Sequence, residues 1–348
     1  MRILLCVLLV STLFSCKNDD QKVNKNRDSV QIETILNDSL LSIRAIDVAS
    51  DRSMAFAANN GVFGLYNPLT DQWGTAKQSY DTLDLQFRAV ARTVNDFFML
   101  SVGNPALLYK TGETGAMEIV YKEEHEKVFY DALAFWNSKE GLAIGDPTDD
   151  CMSIIFTRDG GETWNKIACD QLPKVKEGEA AFAASNSNIA IVGDNTWIAT
   201  GGKTSRILFS PNKGESWEVF ETPMVNGEET TGIYSIDFYD AKNGFAIGGD
   251  YTKPEQTKAN KMKTTDGGRT WKIVGDGEEP GYRSCVQYVP NKGGKELVAV
   301  GFKGIDYSYD SGNTWKHLSD EGFYTLRFLN DSVAYAAGKG RISRLNFN

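Results

Sequence analysis

Apolar and polar residues alternate along most of the chain in short runs, which are separated by glycine, asparagine and aspartate. Runs with a period of two are typical of β-strands, whereas an amphipathic helix needs apolar residues at every third or fourth position. Beyond the first residues, we find no long stretch with a helical period. The pattern therefore predicts an all-β fold of many short strands joined by tight turns.

The predicted strands recur as a repeating unit. Seven segments consist of a strand, a short polar turn and a second strand that ends in small residues, and they begin about 42 to 53 residues apart. Such a unit holds four short strands, which is one blade of a β-propeller. We therefore expect a seven-bladed β-propeller with four antiparallel strands per blade. The seven segments are residues 43–58, 87–103, 130–145, 181–193, 234–248, 282–301 and 324–338.

The last unit lacks a fourth strand of its own. After Gly338, only residues 341–347 alternate as a strand does. Residues 30–36 alternate in the same way as the outer strands of other units. We expect this N-terminal strand to close the last blade, because a closed ring leaves no long open edge. The propeller domain would then span residues 29–348.

A second pattern, here named the Gly-turn phrase, recurs at residues 157–164, 210–217, 264–271 and 308–315. Its form is Ser/Thr-x-Asp-x-Gly-x-Ser/Thr-Trp, with Asn212 in place of Asp in the second copy. Glycine supplies a positive φ, Asp and Ser/Thr bond their own backbone, and the tryptophan can pack under the turn. A phosphate-binding loop occurs once and opens a helix, so the repetition predicts structural turns. The residues expected to form them are Asp159, Gly161, Trp164, Asn212, Gly214, Trp217, Asp266, Gly268, Trp271, Asp310, Gly312 and Trp315.

The Gly-turn phrase resembles the Asp box, also called the BNR repeat. Together with the sequences GLAIGDP at residues 141–147 and GFAIGGD at residues 244–250, it makes nearly the whole chain after the N-terminus resemble the photosystem II stability/assembly-factor-like propeller family. This resemblance implies turns on the rim of the propeller, away from the ligand face. It is informative about the fold and says little about function.

The N-terminus has a separate character. Residues 1–15 carry one positive charge and an apolar run that is too short to span a membrane, so they predict a secretory signal peptide. The sequence from Leu13 to Cys16 resembles a bacterial lipobox, in which cleavage precedes a cysteine that becomes lipidated. The alternative is an ordinary signal peptide with an incidental cysteine. We expect a bacterial lipoprotein, with Cys16 as the lipidated residue.

Residues 16–28 are polar and charged, which predicts a flexible tether. Within them, the sequence from Asn18 to Asp20 resembles the acidic signature of some surface-exposed lipoproteins. We therefore expect the protein at the outer membrane of the cell envelope, with export to the cell surface as a further step. The lipid anchor would be its only contact with the membrane.

The charge balance and the scarcity of metal-ligating residues exclude several classes of protein. The chain has 46 acidic and 37 basic residues and a net charge of −9, so no nucleic-acid partner is expected. His125 and His317 have no further ligand at metal-binding spacing, so we expect neither a metal site nor a Ser-His-Asp triad. We find no G-x-G-x-x-G sequence between a strand and a helix, so no nucleotide cofactor is expected either.

Two cysteines flank the first Gly-turn phrase almost symmetrically. In a hairpin, Cys151 and Cys169 would be cross-strand neighbours within reach of a disulfide. Outside the cytoplasm such a bond would persist. Two free thiols are the alternative.

Charged residues are predicted to gather at one face of the central channel. In a four-stranded blade, the start of the inner strand and the turn between the second and third strands lie on the same face. Guanidinium groups there suit carboxylate, sulfate or phosphate; the alternative is that Arg and Asp neighbours pair and hold the strands in place. A tryptophan near this face could stack on a sugar or simply pack. The candidate ligand-binding residues are Arg44, Arg88, Asp131, Asp146, Asp194, Trp197, Asp250 and Arg283.

Two functional hypotheses follow from this arrangement. The first is a non-enzymatic propeller that binds a protein partner or a glycan at the channel face. The second is a glycan-active hydrolase or lyase that uses carboxylates such as Asp131 and Asp146, which would need to lie about 5 to 10 Å apart.

Overall fold

A computed structural model describes residues 27–348. The predicted signal peptide, Cys16 and all but the last two residues of the predicted tether lie outside the described residues. Within the described part, the chain forms 28 β-strands and two short 3₁₀ turns, at Asn59–Gly61 and Cys169–Gln171. The all-β prediction is confirmed.

The strands are short, with two exceptions at the ends of the chain. In chain order they are β1 (Val30–Val48), β2 (Met54–Ala58), β3 (Val62–Asn67), β4 (Gln72–Lys77), β5 (Phe87–Arg92), β6 (Phe97–Ser101), β7 (Ala106–Thr111), β8 (Met117–Glu123), β9 (Tyr130–Phe135), β10 (Gly141–Gly145), β11 (Ser153–Thr157), β12 (Asn165–Lys166), β13 (Glu179–Ala180) and β14 (Ile189–Val192). The second half comprises β15 (Asn195–Ala199), β16 (Gly201–Gly202), β17 (Arg206–Ser210), β18 (Glu218–Glu221), β19 (Thr231–Phe238), β20 (Gly244–Asp250), β21 (Lys261–Thr264), β22 (Lys272–Ile273), β23 (Cys285–Tyr288), β24 (Leu297–Gly301), β25 (Gly304–Ser308), β26 (Lys316–Ser319), β27 (Thr325–Phe328) and β28 (Val333–Phe347).

The prediction of seven four-stranded blades is wrong, because the described strands form six sheets. Four sheets have four strands, in the orders β5-β6-β7-β8, β12-β11-β10-β9, β14-β15-β17-β18 and β23-β24-β25-β26. The other two have six strands, in the orders β27-β28-β1-β2-β3-β4 and β13-β16-β19-β20-β21-β22.

The difference between seven predicted blades and six observed sheets arises from the two long strands, β1 and β28. The first part of β1 pairs antiparallel with β28, from Val30 opposite Phe347 to Ser42 opposite Lys339, and its last part pairs with β2. The regions predicted as the first and last blades therefore belong to one six-stranded sheet. The prediction of a separate last blade that an N-terminal strand closes is therefore wrong.

The innermost strands surround a central channel. β1 contacts β5, and contacts continue from β5 to β9, β14, β19, β23 and β27, which returns to β1. The hydrophobic core lies between neighbouring sheets. For example, the ring of Phe98 in β6 lies 4.7 Å from that of Phe135 in β9 and 6.3 Å from that of Trp164.

The four Gly-turn phrases share one hydrogen-bonded geometry. In the first, Thr157 donates to Asp159 at 2.8 Å, the amide of Thr163 donates to Asp159 at 3.0 Å, and the indole of Trp164 donates to the carbonyl of Gly161 at 3.2 Å. The other three phrases repeat this geometry at Asn212, Asp266 and Asp310 and at Trp217, Trp271 and Trp315.

In three of these turns, the glycine two positions after the Asp packs against an aromatic ring of the preceding sheet. A Cβ atom at Gly161 would lie 2.3 Å from Phe98, and one at Gly312 would lie 2.1 Å from Phe245. The contacts made by Gly268 follow the same pattern, against Trp197. Within the described residues, the turns therefore join neighbouring sheets through side-chain packing.

Covalent and ionic contacts fix two further segments. Cys151 and Cys169 form a disulfide with a Cα–Cα distance of 5.4 Å, across the first Gly-turn phrase. Arg27, at the start of the described chain, is 7% exposed and its Nε atom donates to Glu296 at 3.1 Å. It also donates to the carbonyls of Phe347 and Asp331.

Candidate functional site

One end of the channel opens into a cavity of about 310 Å³, here named the upper cavity. It lies at the face of the channel where the sequence predicted a group of charged residues. Its walls are mostly aromatic instead. The lining residues are Arg44, Arg88, Phe182, Ala183, Ala184, Tyr234, Tyr251, Tyr282, Ser284, Phe302 and Tyr324.

The aromatic rings form one connected group. Phe182 stacks on Tyr234 with ring centroids 3.9 Å apart, and Tyr234 meets Tyr282 edge-on at 4.8 Å. Tyr282 also contacts Phe302 at 5.5 Å and Tyr251 at 6.4 Å. Tyr251 and Phe302 are 48% and 42% exposed, so the group continues from the buried wall to the mouth.

Two arginines enter this aromatic cavity, Arg44 from β1 and Arg88 from β5. The guanidinium of Arg44 lies 4.2 Å from the ring centroid of Tyr324, a cation–π distance. Within residues 27–348, neither arginine makes a hydrogen bond or an ion pair within 4.0 Å, and no Asp or Glu lines the cavity. Burial, and then the charge of Arg44, lower the pKa of Arg88. The cavity is therefore apolar with an excess of positive charge.

Asp131 lies beside Arg88 but does not line the cavity. Its side chain is fully buried, and neither carboxyl oxygen has a hydrogen-bond partner among the described residues. Burial raises the pKa of this carboxyl well above its usual value, and the charge of Asp146 adds to the effect, whereas the charge of Arg88 and the nearby backbone amide of Ala183 oppose it.

Asp146 follows β10 and also lies behind the cavity wall. Its Oδ1 atom accepts a hydrogen bond from the amide of Ala181 at 2.8 Å. Burial raises its pKa to about 6. Asp146 therefore positions the backbone next to the cavity, and it does not reach the cavity itself.

Arg283 and Asp250, two more predicted ligand-binding residues, make internal contacts. Arg283 is buried, pairs with Asp306 at 2.5 Å, and donates to the carbonyl of Tyr282 at 2.8 Å. Asp250 accepts hydrogen bonds from the amide and hydroxyl of Thr252 at 2.9 and 2.7 Å, so it stabilises the turn after β20. Both shape the cavity wall without lining the cavity.

Asp194 and Trp197 do not lie at the predicted face. The main-chain amide of Lys213, inside a Gly-turn phrase, donates to the carbonyl of Asp194 at 2.9 Å. Trp197 is fully buried, stacks on Phe238 at 3.7 Å and donates to the carbonyl of Gly267 at 2.8 Å. Residues 181–184 were predicted to form the inner strand of this sheet, but the inner strand is β14. The turn that contains Asp194 therefore joins the first and second strands of the sheet, and not the second and third.

Residues 181–188 instead cross the channel and close it, a segment here named the channel plug. Asn186 donates to the carbonyl of Val90 at 2.8 Å and accepts from the amide of Leu133 at 2.9 Å. Arg327 donates to the carbonyls of Ser185 and Asn186 at 3.2 and 2.8 Å. The plug forms the floor of the upper cavity through Ala183 and Ala184.

Below the plug lies a second cavity of about 240 Å³. Its charged residues are already paired or hydrogen-bonded: Arg92 contacts Asp47 at 2.6 Å, and Asp237 accepts from the amide of Tyr288 at 2.7 Å. Burial raises the pKa of Asp237 to about 6. Because these groups satisfy one another, the upper cavity is the better candidate for a ligand.

The described residues bring together one group with potential metal ligands, Asp149, Asp150 and Cys169. Cys169 is in the disulfide, and Asp150 contacts Lys174 at 2.8 Å. A disulfide sulfur is not the thiolate that binds metals, so this group does not fit a metal ion. Between residues 27 and 348, no helix is long and apolar enough to cross a membrane.

No protein-family model matches the chain, and no curated protein matches it. Solved structures do. A structure entitled "YCF48 bound to D1 peptide" aligns with a TM-score of 0.65 at 12% identity, over 93% of this chain and 96% of that one. "Structure of U3-55K" aligns with a TM-score of 0.61 at 12% identity, over 91% and 98%.

A third structure is the virginiamycin B lyase from Staphylococcus aureus, with a TM-score of 0.59 at 12% identity, over 91% of this chain and 99% of that one. These likenesses confirm a β-propeller, and YCF48 agrees with the resemblance to photosystem II assembly factors at the level of the fold. Proteins with different names share the fold at this identity, so it does not by itself specify a function.

Proposed function

We propose that the chain is a non-enzymatic binding module whose upper cavity takes an anionic segment of a protein partner. The observation that carries this proposal is that Arg44 and Arg88 have no polar partner in the cavity among residues 27–348. Both border an aromatic cavity that no Asp or Glu lines, and neither has a hydrogen bond or an ion pair within the described residues. A guanidinium in such surroundings favours an anion, with which it forms charge-assisted hydrogen bonds.

The aromatic walls favour a protein segment as the source of this anion. Tyrosine, phenylalanine and arginine are enriched at protein interfaces, and hot spots often combine Tyr with Arg. Tyr251 and Phe302 offer exposed rings at the mouth, where an apolar side chain of the partner could pack. The likeness to a YCF48 structure that is bound to a D1 peptide supports a peptide as ligand.

The alternative of a glycan-active hydrolase or lyase has less support. Its carboxylates would have to face the substrate. Asp131 is fully buried, and neither it nor Asp146 lines the upper cavity. An acidic glycan would still satisfy the arginines, so glycan binding is one outcome of the test below.

A display library of random twelve-residue peptides, presented to the purified protein, would test the proposal. Peptides that are retained should contain Asp or Glu next to an aromatic or aliphatic residue. Their affinity, measured by fluorescence anisotropy, should fall by at least about tenfold in Arg44→Ala and in Arg88→Ala, which corresponds to about 1.4 kcal/mol.

Arg269→Ala is the matched control. Arg269 lies in the third Gly-turn phrase, over the ring of Phe209, and does not line the cavity. Its loss should leave the affinity unchanged. Retention of peptides without any acidic residue, or equal effects of all three variants, would contradict the proposal. Retention of acidic glycans but of no peptide in parallel would favour a glycan ligand instead.

We also propose that the four Gly-turn phrases are Asp boxes and that the chain is a bacterial lipoprotein of the cell envelope, anchored through Cys16. The support is the repeated Asp/Asn-to-Thr/Ser hydrogen bonding in the turns and the lipobox-like sequence before Cys16. Metabolic labelling with a palmitate analogue should mark the wild type in the membrane fraction. Labelling that persists in Cys16→Ala would overturn the anchoring proposal.

A further inference from the structure

Asp131 occupies an unusual place for a carboxyl group. It is fully buried in β9, and neither of its oxygens has a hydrogen-bond partner among residues 27–348. A buried carboxylate without a well-formed hydrogen bond carries a large desolvation cost, which neighbouring charges and dipoles must offset. The positive group that interacts with it is Arg88. The ionisation of Asp131 therefore depends on whether Arg88 interacts with Asp131 or with another anion.

Arg88 can face two anions. It lies on β5, whose neighbour in the ring is β9, and it interacts electrostatically with Asp131. It also borders the upper cavity, which Asp131 does not. An anion that enters the cavity and binds Arg88 competes with Asp131 for the same guanidinium, and it adds a second negative charge nearby.

We propose that Asp131 is a positioning residue that couples anion binding in the upper cavity to the uptake of one proton from solvent. The inference rests on the proposed anion-binding role of the cavity. In the free protein, ionised Asp131 attracts Arg88. When an anion occupies the cavity, Asp131 takes up a proton, becomes neutral, and leaves Arg88 to the ligand. No other bond forms or breaks.

The charges around Asp131 support this direction. Asp146 directly follows β10, the strand that pairs with β9, and its negative charge disfavours the ionised form of Asp131. β6 and β14 also contact β9, and they contain no titratable residue. In the channel plug, the backbone amide of Ala183 favours the charged form of Asp131, but it is not placed to donate a hydrogen bond of good geometry. Beyond Arg88, Arg44 adds positive charge in the cavity.

Burial already raises the pKa of Asp131 in the free protein, and a bound anion raises it further. The arginines stay charged over the working pH range. Affinity for an anion should therefore be constant below the pKa of Asp131 in the free protein and should fall as the pH rises above it. The fall can reach about tenfold per pH unit for one proton.

Naphthalene-2-carboxylate is a suitable probe, because it joins a carboxylate to a flat aromatic ring that matches the cavity walls. Its affinity for the purified protein would be measured by titration calorimetry from pH 5 to pH 9. Titrations in two buffers with different ionisation heats give the number of protons taken up. The wild type should take up protons at pH values above the pKa of Asp131 in the free protein, and its affinity should decrease with pH over that range.

Asp131→Asn should bind the probe with an affinity that varies much less with pH and with little proton uptake. Asp146→Asn is the control for the neighbouring carboxyl and should keep most of the pH dependence. Circular dichroism at 20 °C checks that both variants are folded. If a variant does not fold, the proton uptake of the wild type alone still tests the proposal.

The two possible failures are distinguishable. If the probe binds wild type and Asp131→Asn with the same pH dependence, or if no proton is taken up, the role of Asp131 is overturned while the cavity remains an anion site. If the probe binds neither protein at any pH, both the anion-binding role of the cavity and the inference built on it are overturned.

Discussion

Arg283 and Asp306 form an ion pair, 2.5 Å between Nε and Oδ2, in which both side chains are almost completely buried. The guanidinium also donates to the carbonyl of Tyr282 at 2.8 Å, and the Tyr282 ring lines the upper cavity. The pair therefore connects β25 to the cavity wall. Arg283 was predicted as a ligand-binding residue, but in the structure it contacts the wall and not the cavity.

Removing one partner of this pair should destabilise the protein strongly. Asp306→Ala leaves Arg283 buried without a counter-ion, which typically costs about 3–5 kcal/mol of the free energy of unfolding. Urea denaturation, followed by tryptophan fluorescence, would measure the loss. The control is Glu221→Ala, because Glu221 pairs with Lys176 in an exposed contact worth less than about 1 kcal/mol. Equal losses in the two variants would contradict the structural role of the Arg283–Asp306 pair.

Arg27 should stabilise the pairing of the two ends of the described chain. Its contacts with Glu296 and with the carbonyls of Phe347 and Asp331 are largely buried. Hydrogen bonds that involve a charged group contribute about 1.5–3 kcal/mol each when made, so Arg27→Ala should lower the free energy of unfolding by at least about 1.5 kcal/mol. Amide hydrogen exchange should become faster at the paired ends of β1 and β28.

Arg344→Ala is the matched control for this prediction, because Arg344 also joins these two strands through its contact with Glu33. That ion pair is 43% and 58% exposed, so its loss should cost less than about 1 kcal/mol. Unchanged exchange in Arg27→Ala would show that β1 is held by the ladder alone.

The sequence pattern predicted local structure better than relations between distant segments. Alternation placed Arg44 and Arg88 on strands, and in the structure they lie on β1 and β5 and line the cavity. It could not reveal the channel plug, because Asn186 is fixed by Val90 and Leu133, which are far away along the chain. Residues 181–184 resemble a strand locally but form none in the structure, where the neighbouring Asn186 bonds to distant strands.

The number of sheets could not be read from the repeats for a related reason. Residues 30–36 and the segment that begins at residue 43 were predicted as separate strands, whereas β1 runs from Val30 to Val48 with shifts in register. The aromatic cavity did leave a signal in the sequence. Tyr234, Tyr282 and Tyr324 stand at corresponding positions in three of the repeated segments, and all three line the cavity.

His317 should make a small pH-dependent contribution to stability. Its Nδ1 lies 2.9 Å from Asp306 and its Nε2 lies 3.1 Å from Asp320. Burial alone would lower the pKa of His317, but the hydrogen bonds to these carboxylates outweigh it and raise the pKa. A raised pKa in the folded state means that the stabilisation is complete below the unfolded value of about 6.5 and is lost as the pH rises through the folded value.

Because the His317 side chain is 44% exposed, solvent screening should keep this contribution below about 1 kcal/mol. Urea denaturation of the wild type and of His317→Gln at pH 6 and pH 9 would measure it. At pH 6 the wild type should be more stable than the variant, and this stability difference should be smaller at pH 9. His125→Gln is the control, since His125 makes no ion pair among the described residues. A difference that grows with pH would reverse the sign and refute the assignment.

Gly161 and Gly115 allow the packing of a Gly-turn phrase to be separated from its backbone conformation. Both have a left-handed backbone, with φ of +84° and +80°, but a Cβ at Gly161 would lie 2.3 Å from the ring of Phe98, and one at Gly115 would meet nothing within 4 Å. Alanine at either position should cost about 1–2 kcal/mol for its backbone. Phe98 is fully buried between Phe135 and Trp164 and has little room to move.

Gly161→Ala should therefore lose a further 1–3 kcal/mol or so through overpacking, and its unfolding temperature should fall well below that of Gly115→Ala. Scanning calorimetry of the two variants measures this difference directly. In the double variant Gly161→Ala/Phe98→Leu, the smaller side chain should relieve part of the clash, so the two changes should cost less together than the sum of their separate costs. If Gly161→Ala and Gly115→Ala unfold at the same temperature, the second glycine serves the turn alone, and its contact with the preceding sheet contributes nothing to stability.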